Sequence, residues 1–250
     1  MTNSRSLLPK LDDLICSVTN LKPDVCICTE TWIDDAILDS YLNIPLYEVL
    51  RDDRNRNGGG VCVWCNACLN PTVQYVDDKP ERVNAVWFTI YDFIIGALYV
   101  PPDVSAMIET QNYLVNTCDA LQSNYPEFHI AICGDFNSMN CDELCAQLDL
   151  FDAVVLPTRN LNKLDHILIS NSLATAYKNA ENLPPLMSSL NNSGVASDHH
   201  TLHLKPVKIS IGLLTIPSFT EFLISESQKF LRQEITYKVL IFVLCTIPLM

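Results

Sequence analysis

The nine residues Ile130-Ala131-Ile132-Cys133-Gly134-Asp135-Phe136-Asn137-Ser138 decide how the rest of the chain is read. The apolar run over 129–133 predicts a buried strand, because a short unbroken stretch of branched and small apolar side chains fits a sheet covered on both faces. It stops at Gly134, and Asp135 and Asn137 follow two apart on the exit turn. In extended backbone that spacing puts both side chains on the same side. A carboxylate next to an amide suits a water molecule held beside a metal-bound phosphate. A turn in which Asp and Asn satisfy local backbone is the plainer alternative. Loops leaving strand ends are where α/β proteins place their chemistry, so the search for partners moves to other strand ends.

Several such ends exist. The stretch 24–29 reads as a short buried strand closed by Glu30, and Mg²⁺ takes one or two carboxylates and keeps several waters. The runs 83–90 and 93–100 read as two more strands, the second ending Tyr99-Val100-Pro101-Pro102, where the double proline stops pairing and fixes the exit. Leu164-Asp165-His166-Ile167 opens a further strand with a carboxylate. Ser197-Asp198-His199-His200 precedes a last strand marked by Leu202 and Leu204. An Asp-His pair before a strand suits acid-base or phosphate-stabilising work. His200 and His203 read as ordinary strand positions. Helical spacing of Leu7, Leu11, Leu14, Ile15 and Val18 predicts a helix near the start, with Asn3 or Ser4 as its N-cap. Further helices are expected over 104–121 and 144–150. The turn-rich segment 51–60 holds Arg51, Arg54 and Arg56 and ends Gly58-Gly59-Gly60, which reads as a hairpin loop or as a loop touching phosphates.

The chain has 250 residues, 48% of them hydrophobic, enough for one large core with an appendage. Its 29 acidic and 16 basic residues leave a net charge of −13, which excludes nucleic-acid binding by bulk electrostatics and requires local cations or metal at any anionic site. The eleven cysteines are expected as reduced thiols, since no apolar leader opens the sequence. The C-x-x-C-x-x-C spacing of Cys62, Cys65 and Cys68 has no second ligand cluster beside it and reads as strand cysteine rather than zinc ligand. The expected location is intracellular, cytoplasmic or nuclear.

Asn3-Ser4-Arg5-Ser6, Thr29-Glu30-Thr31-Trp32, the stretch from Arg51 to Val61, Tyr99-Val100-Pro101-Pro102, Gly134-Asp135-Phe136-Asn137-Ser138, Leu164-Asp165-His166-Ile167 and Ser197-Asp198-His199-His200 occur in this order. Together they resemble the endonuclease/exonuclease/phosphatase superfamily, most closely the endonuclease domain of non-LTR (LINE-type) retrotransposons. The resemblance covers 3–204. It implies a two-sheet β-sandwich flanked by helices, a four-layer α/β/β/α arrangement. It implies that Glu30 and Asp198 hold Mg²⁺ (or Mn²⁺), and that Asp135, with Asn137 beside it, orients or deprotonates water. Tyr99 would contact the scissile phosphate and Asn3 would hydrogen-bond near the metal and the phosphate, with Arg51 of the turn-rich loop as a further substrate contact. His199 would stabilise the phosphate in the transition state, its ring fixed by Asp165. The implied reaction is phosphodiester hydrolysis that nicks DNA and leaves a 3′-hydroxyl. A phosphatase of the same superfamily, acting on inositol lipids or small phosphoesters, and a non-catalytic remnant that only binds are the alternatives. Members carry a strand ahead of the Asn3 motif, so the first strand is expected to be truncated. The expected domain is 1–205, with 206–250 an unassigned apolar tail. The run 239–250 is too short to span a bilayer, so no firm membrane association is expected.

Overall fold

The computed structural model describes residues 6–177, 179–187, 197–207 and, for the backbone alone, 241–245. A short 3-10 helix at Leu8–Lys10 leads into α1 (Leu11–Leu21). Strands β1 (Val25–Thr29), β2 (Tyr47–Asp52), β3 (Val61–Asn66), β4 (Thr72–Gln74), β5 (Asn84–Ile90) and β6 (Phe93–Tyr99) follow. After α2 (Val104–Asn124) come β7 (His129–Asp135), α3 (Asp142–Gln147), β8 (Leu150–Asp152), β9 (Asp165–Ser170), β10 (Glu181–Leu183), β11 (Thr201–Leu204) and β12 (Ile241–Cys245).

These strands make two six-stranded sheets, ordered β10-β11-β12-β1-β3-β2 and β4-β5-β6-β7-β9-β8. The sheets share an inner core that includes Val25, Ile27, Val63, Phe88, Ile95, Ala131, Cys133 and Ile167. Leu14 and Val18 of α1 cover the outside of the first sheet with Cys26, Cys28, Cys62 and Trp64. Tyr113, Leu114 and Cys118 of α2, with Leu144 of α3, cover the outside of the second with Ile94, Leu98, Ile130 and Ile132. This is the four-layer α/β/β/α sandwich. The period of two along each strand sorts side chains between inner and outer cores, which is why β1 and β6 are buried throughout and β7 from Ile130 onward.

Strand β12 departs from expectation. It runs parallel to β1, Val25 facing Ile241 through Thr29 facing Cys245, and antiparallel to β11. The sheet therefore extends past the expected boundary at 205, and the apolar tail contributes an interior strand. The run 129–133 also continues further than expected: Gly134 and Asp135 belong to β7. A side chain at Gly134 would put its Cβ 1.8 Å from the Leu98 carbonyl oxygen, so only glycine lets β6 and β7 approach there. Of the cysteine triplet, Cys62 lies in the outer core, Cys65 in the inner core and Cys68 is exposed, so the three thiols do not converge. Among the described residues, no helix is long and apolar enough to cross a membrane.

Candidate active site

The rim of the inner core gathers the polar residues expected at the site. Residues 93, 95, 97 and 99 of β6, 131 and 133 of β7, and 167 and 169 of β9 all face inward. Continuing that alternation places Tyr99, Asp135 and Asp165 on the inner face at one end of the sheet. The register aligns them side by side, Tyr99 facing Asp135 and Asp135 facing Asp165. His166, one residue on, turns to the other face, where its Nδ1 lies 2.7 Å from Asp152 Oδ2.

His199 reaches this row from the first sheet, just ahead of β11. Its Nδ1 is 2.6 Å from Asp165 Oδ2, and both residues are buried. His199 Nε2 has no hydrogen-bond partner among the described residues. Asp135 is also buried; its Oδ1 accepts the Asn137 backbone N–H at 2.9 Å, and its Oδ2 has no hydrogen-bond partner among the described residues. Burial, then the charges of Asp165 and Glu30, push the Asp135 carboxyl well above the usual carboxylate range. Ligand atoms of Asp135, Asp165 and His199 all lie within 4.8 Å of one another.

Glu30 faces the row from the end of β1. It adopts φ +52, and Trp32 adopts φ +51, a conformation L-residues keep only where the surroundings enforce it. The enforcement comes from the glycine run. Gly59 N–H donates to Glu30 Oε2 at 2.8 Å, Trp32 N–H donates to the Gly59 carbonyl at 3.1 Å, and the Trp32 indole N–H also donates to Glu30 Oε2. Gly59 and Gly60 have φ +76 and +89, and a Cβ at Gly60 would lie 2.4 Å from Thr31 Oγ1. The glycines thus cradle Glu30. The Tyr99 hydroxyl is hydrogen-bonded to Glu30, and burial together with the Glu30 charge pushes it up.

Other expected residues are placed differently. Arg51 faces Cys62 in register, on the outer face of the first sheet, where its Nε lies 3.0 Å from Asp39 and Nη1 3.4 Å from Asp53. It is engaged there rather than at the rim. Asn137 is not extended, as its φ of +50 shows, and its amide donates to the Val100 carbonyl at 2.7 Å, tying the exits of β6 and β7 together. Asp198 has Arg159 Nε 2.8 Å from its Oδ2. Asn3 lies outside the described residues.

Two residues at the rim were not anticipated. Thr158 is buried and its Oγ1 accepts the backbone N–H groups of Leu164 and Asp165, while its carbonyl accepts that of His200 at 2.9 Å. It fastens the β9 start to the loop bearing His199. Arg159 follows it. The cluster Pro157-Thr158-Arg159-Asn160 ahead of Asp165 is a turn signal in the sequence, and it was the clue available.

Known structures share this architecture. The 3′-5′ exonuclease NExo from Neisseria meningitidis superposes with a TM-score of 0.59 at 17% identity, covering 78% of this chain and 94% of its own. An endonuclease/exonuclease/phosphatase family protein from Bacteroides thetaiotaomicron gives 0.54 at 15%, with 76% and 83% covered. The fold is that of the endonuclease/exonuclease/phosphatase proteins. A mannosyl-6-phosphatase from Bacteroides thetaiotaomicron shares it too, with a TM-score of 0.57 at 15% identity over 79% of this chain and 90% of its own. A further structure of NExo from Neisseria, named there a 3′ phosphatase, is bound to a product DNA hairpin. No protein-family model and no curated protein matches the chain.

The residues fit a divalent cation. Carboxylates of Asp135, Asp165 and Glu30 crowd one buried rim, a concentration of negative charge that such an ion would offset, and the Glu30 carboxylate is the kind of ligand it takes.

Proposed function

We propose that this chain hydrolyses phosphodiesters with a divalent cation, Mg²⁺ or Mn²⁺, and that its substrate is DNA, which it nicks as the retrotransposon endonucleases it resembles in sequence do. The observation that carries this is the buried Asp135–Asp165–His199 group with Asp135 Oδ2 and His199 Nε2 left without hydrogen-bond partners among the described residues. Glu30, with Asp198 beside His199, would hold the cation, which supplies charge neutralisation at the phosphate. A carboxylate of raised pKa is a better base near neutrality, so Asp135 Oδ2 takes a proton from the attacking water. The water oxygen bonds to phosphorus and the P–O3′ bond breaks, and the leaving oxygen takes up a proton from solvent to become the 3′-hydroxyl. Asp165 holds the Nδ1–H of His199 and so aims Nε2 at the site; in its protonated form the ring donates from Nε2 to a phosphoryl oxygen. Tyr99, held by Glu30, sits where the substrate phosphate would lie.

Supercoiled plasmid incubated with Mg²⁺ tests the reading. Wild type is expected to convert it to the open circular form, and Asp135→Ala or His199→Ala to slow this by about 10²–10⁴-fold. The net charge of −13 and the shared fold of a mannosyl-6-phosphatase favour a second reading, a phosphatase acting on small phosphoesters. Phosphate released from inositol phosphates without nicking would select it. Wild type and variants equally inert on both would leave the chain a binding module.

A further inference from the structure

In a chain of net charge −13, cations near an anionic substrate have to be held out of reach of the chain's own carboxylates. Four of the described arginines fail that condition: Arg51, Arg56, Arg82 and Arg159 are each ion-paired with an aspartate. Arg54 is exposed and forms no ion pair among the described residues. Its place is specific. A Cβ added at Gly59 would lie 2.6 Å from Arg54 Cδ and 3.2 Å from its Nη1, so the side chain lies directly against Gly59, whose N–H holds Glu30. Its positive charge is also felt at the Tyr99 hydroxyl.

Tyr99, Asp135 and Asp165 stand on three neighbouring strands, and strands are about 4.8 Å apart. The Tyr99 and Asp165 backbones are therefore separated by roughly twice that, about 10 Å. Arg54 stands at the Tyr99 end of the row and His199 at the Asp165 end. That span is wider than one phosphate group.

We propose that Arg54 grips a phosphate neighbouring the one attacked, so that the site is fitted to a chain of consecutive phosphodiesters rather than to an isolated phosphoester. The inference rests on the hydrolytic reading of the site and names the substrate class it serves. The rigid fork of the guanidinium suits phosphate oxygens, and the glycine at position 59 leaves room for it over the Glu30 loop.

Binding and turnover test it separately. With Ca²⁺ replacing Mg²⁺, anisotropy of a labelled DNA duplex is expected to give a Kd about tenfold weaker for Arg54→Ala, with the log Kd against log salt slope reduced by about one. Arg54→Lys should recover part of the affinity. Arg56→Ala, whose guanidinium is held by Asp34, is the matched control and should bind as wild type does. With Mg²⁺, Arg54→Ala should raise KM for a cleavable oligonucleotide far more than it lowers turnover of bis-p-nitrophenyl phosphate, which carries one phosphate. Equal binding by Arg54→Ala, Arg56→Ala and wild type overturns the proposal, as do equal losses on both substrates. A wild type that binds DNA through Arg54 but cleaves neither substrate sinks the hydrolytic reading and leaves the Arg54 contact standing.

Discussion

Lys10 is fully buried in the outer layer of the first sheet, between the 3-10 turn and α1, and its Nζ has no hydrogen-bond partner among the described residues. Burial lowers its pKa from the ordinary 10.5 to about 8, against the opposing pull of Cys28 and Asp198. Below pH 8 the folded protein holds a charge that water solvates better, and the gap between 10.5 and about 8 corresponds to about 3 kcal/mol. The sign follows from proton counts. Between the two values the unfolded chain binds more protons than the folded one, so stability rises with pH across that window. From about pH 7 to about pH 9.5 this group alone should add about 2 kcal/mol. Lys10→Met removes the titration and keeps the volume. It should raise urea-unfolding free energy at pH 7 by about 2–3 kcal/mol, and its advantage over wild type should shrink by about 2 kcal/mol at pH 9.5. The difference between the two proteins cancels every other group that titrates in that range. A Lys10→Met protein less stable than wild type at pH 7, with a difference independent of pH, would refute the account and mean that the ammonium is fully compensated in the fold.

Gly60→Ala should strain a backbone at φ +89 and push against Thr31, costing about 1–3 kcal/mol in urea unfolding and lowering nicking further by disturbing Glu30; unchanged activity would separate the glycine run from the site. Val243→Pro removes a backbone N–H from a strand paired on both sides and should cost about 3 kcal/mol or more, visible as lost amide protection in β1 and β11 by hydrogen exchange; protection equal to wild type would show that β12 is dispensable. Tyr113→Phe leaves the buried Trp87 indole N–H, now 2.9 Å from the Tyr113 hydroxyl, without an acceptor and should destabilise by about 1–3 kcal/mol. Because the Asp135 carboxyl is pushed up, its folded form takes up a proton before its unfolded form does as pH falls. That favours the folded state on acidification through the interval above the ordinary value, so Asp135→Asn, which lacks that gain, should lose stability relative to wild type as pH falls in metal-free buffer; a difference independent of pH would show that Asp135 stays ionised.

What the sequence made legible is what burial writes into pattern. The apolar runs of β1, β6, β7 and β9 are covered on both faces, so they admit no carboxylate until the rim is reached. The residues at those ends, Glu30, Tyr99, Asp135 and Asp165, therefore stand out by contrast. The illegible parts lack that contrast. Strand β2 is half-buried along its whole length except at Glu48, and Arg51 in it looks like a loop arginine until register places it on the outer face. Strands β4, β8 and β10 are three residues each and owe their existence to partners distant in sequence. The spacing of Asp135 and Asn137 predicts extended backbone at Asn137, but a left-handed backbone is a choice between turn geometries that a single sequence underdetermines. Strand β12 pairs with a segment more than two hundred residues earlier, a contact no local period encodes.

The two sheets contribute unlike halves to the site. The second sheet supplies the row Tyr99, Asp135 and Asp165, fixed by strand register and by the Asn137 contact to Val100. The first sheet supplies Glu30 and His199, but from strands that do not touch: β1 and β11 are joined through β12. The His199–Asp165 bond is a clasp between the sheets, and its direction depends on where β11 begins, which Thr158 sets by gripping both the His200 and the Asp165 backbone. A fault in the first sheet would then show first as loss of coupling between imidazole and carboxylate, while the acidic row of the second sheet stayed in register. That ordering follows from the topology: each residue of the row is held by strand neighbours within its own sheet, whereas the imidazole is held across the sandwich by a single side-chain contact.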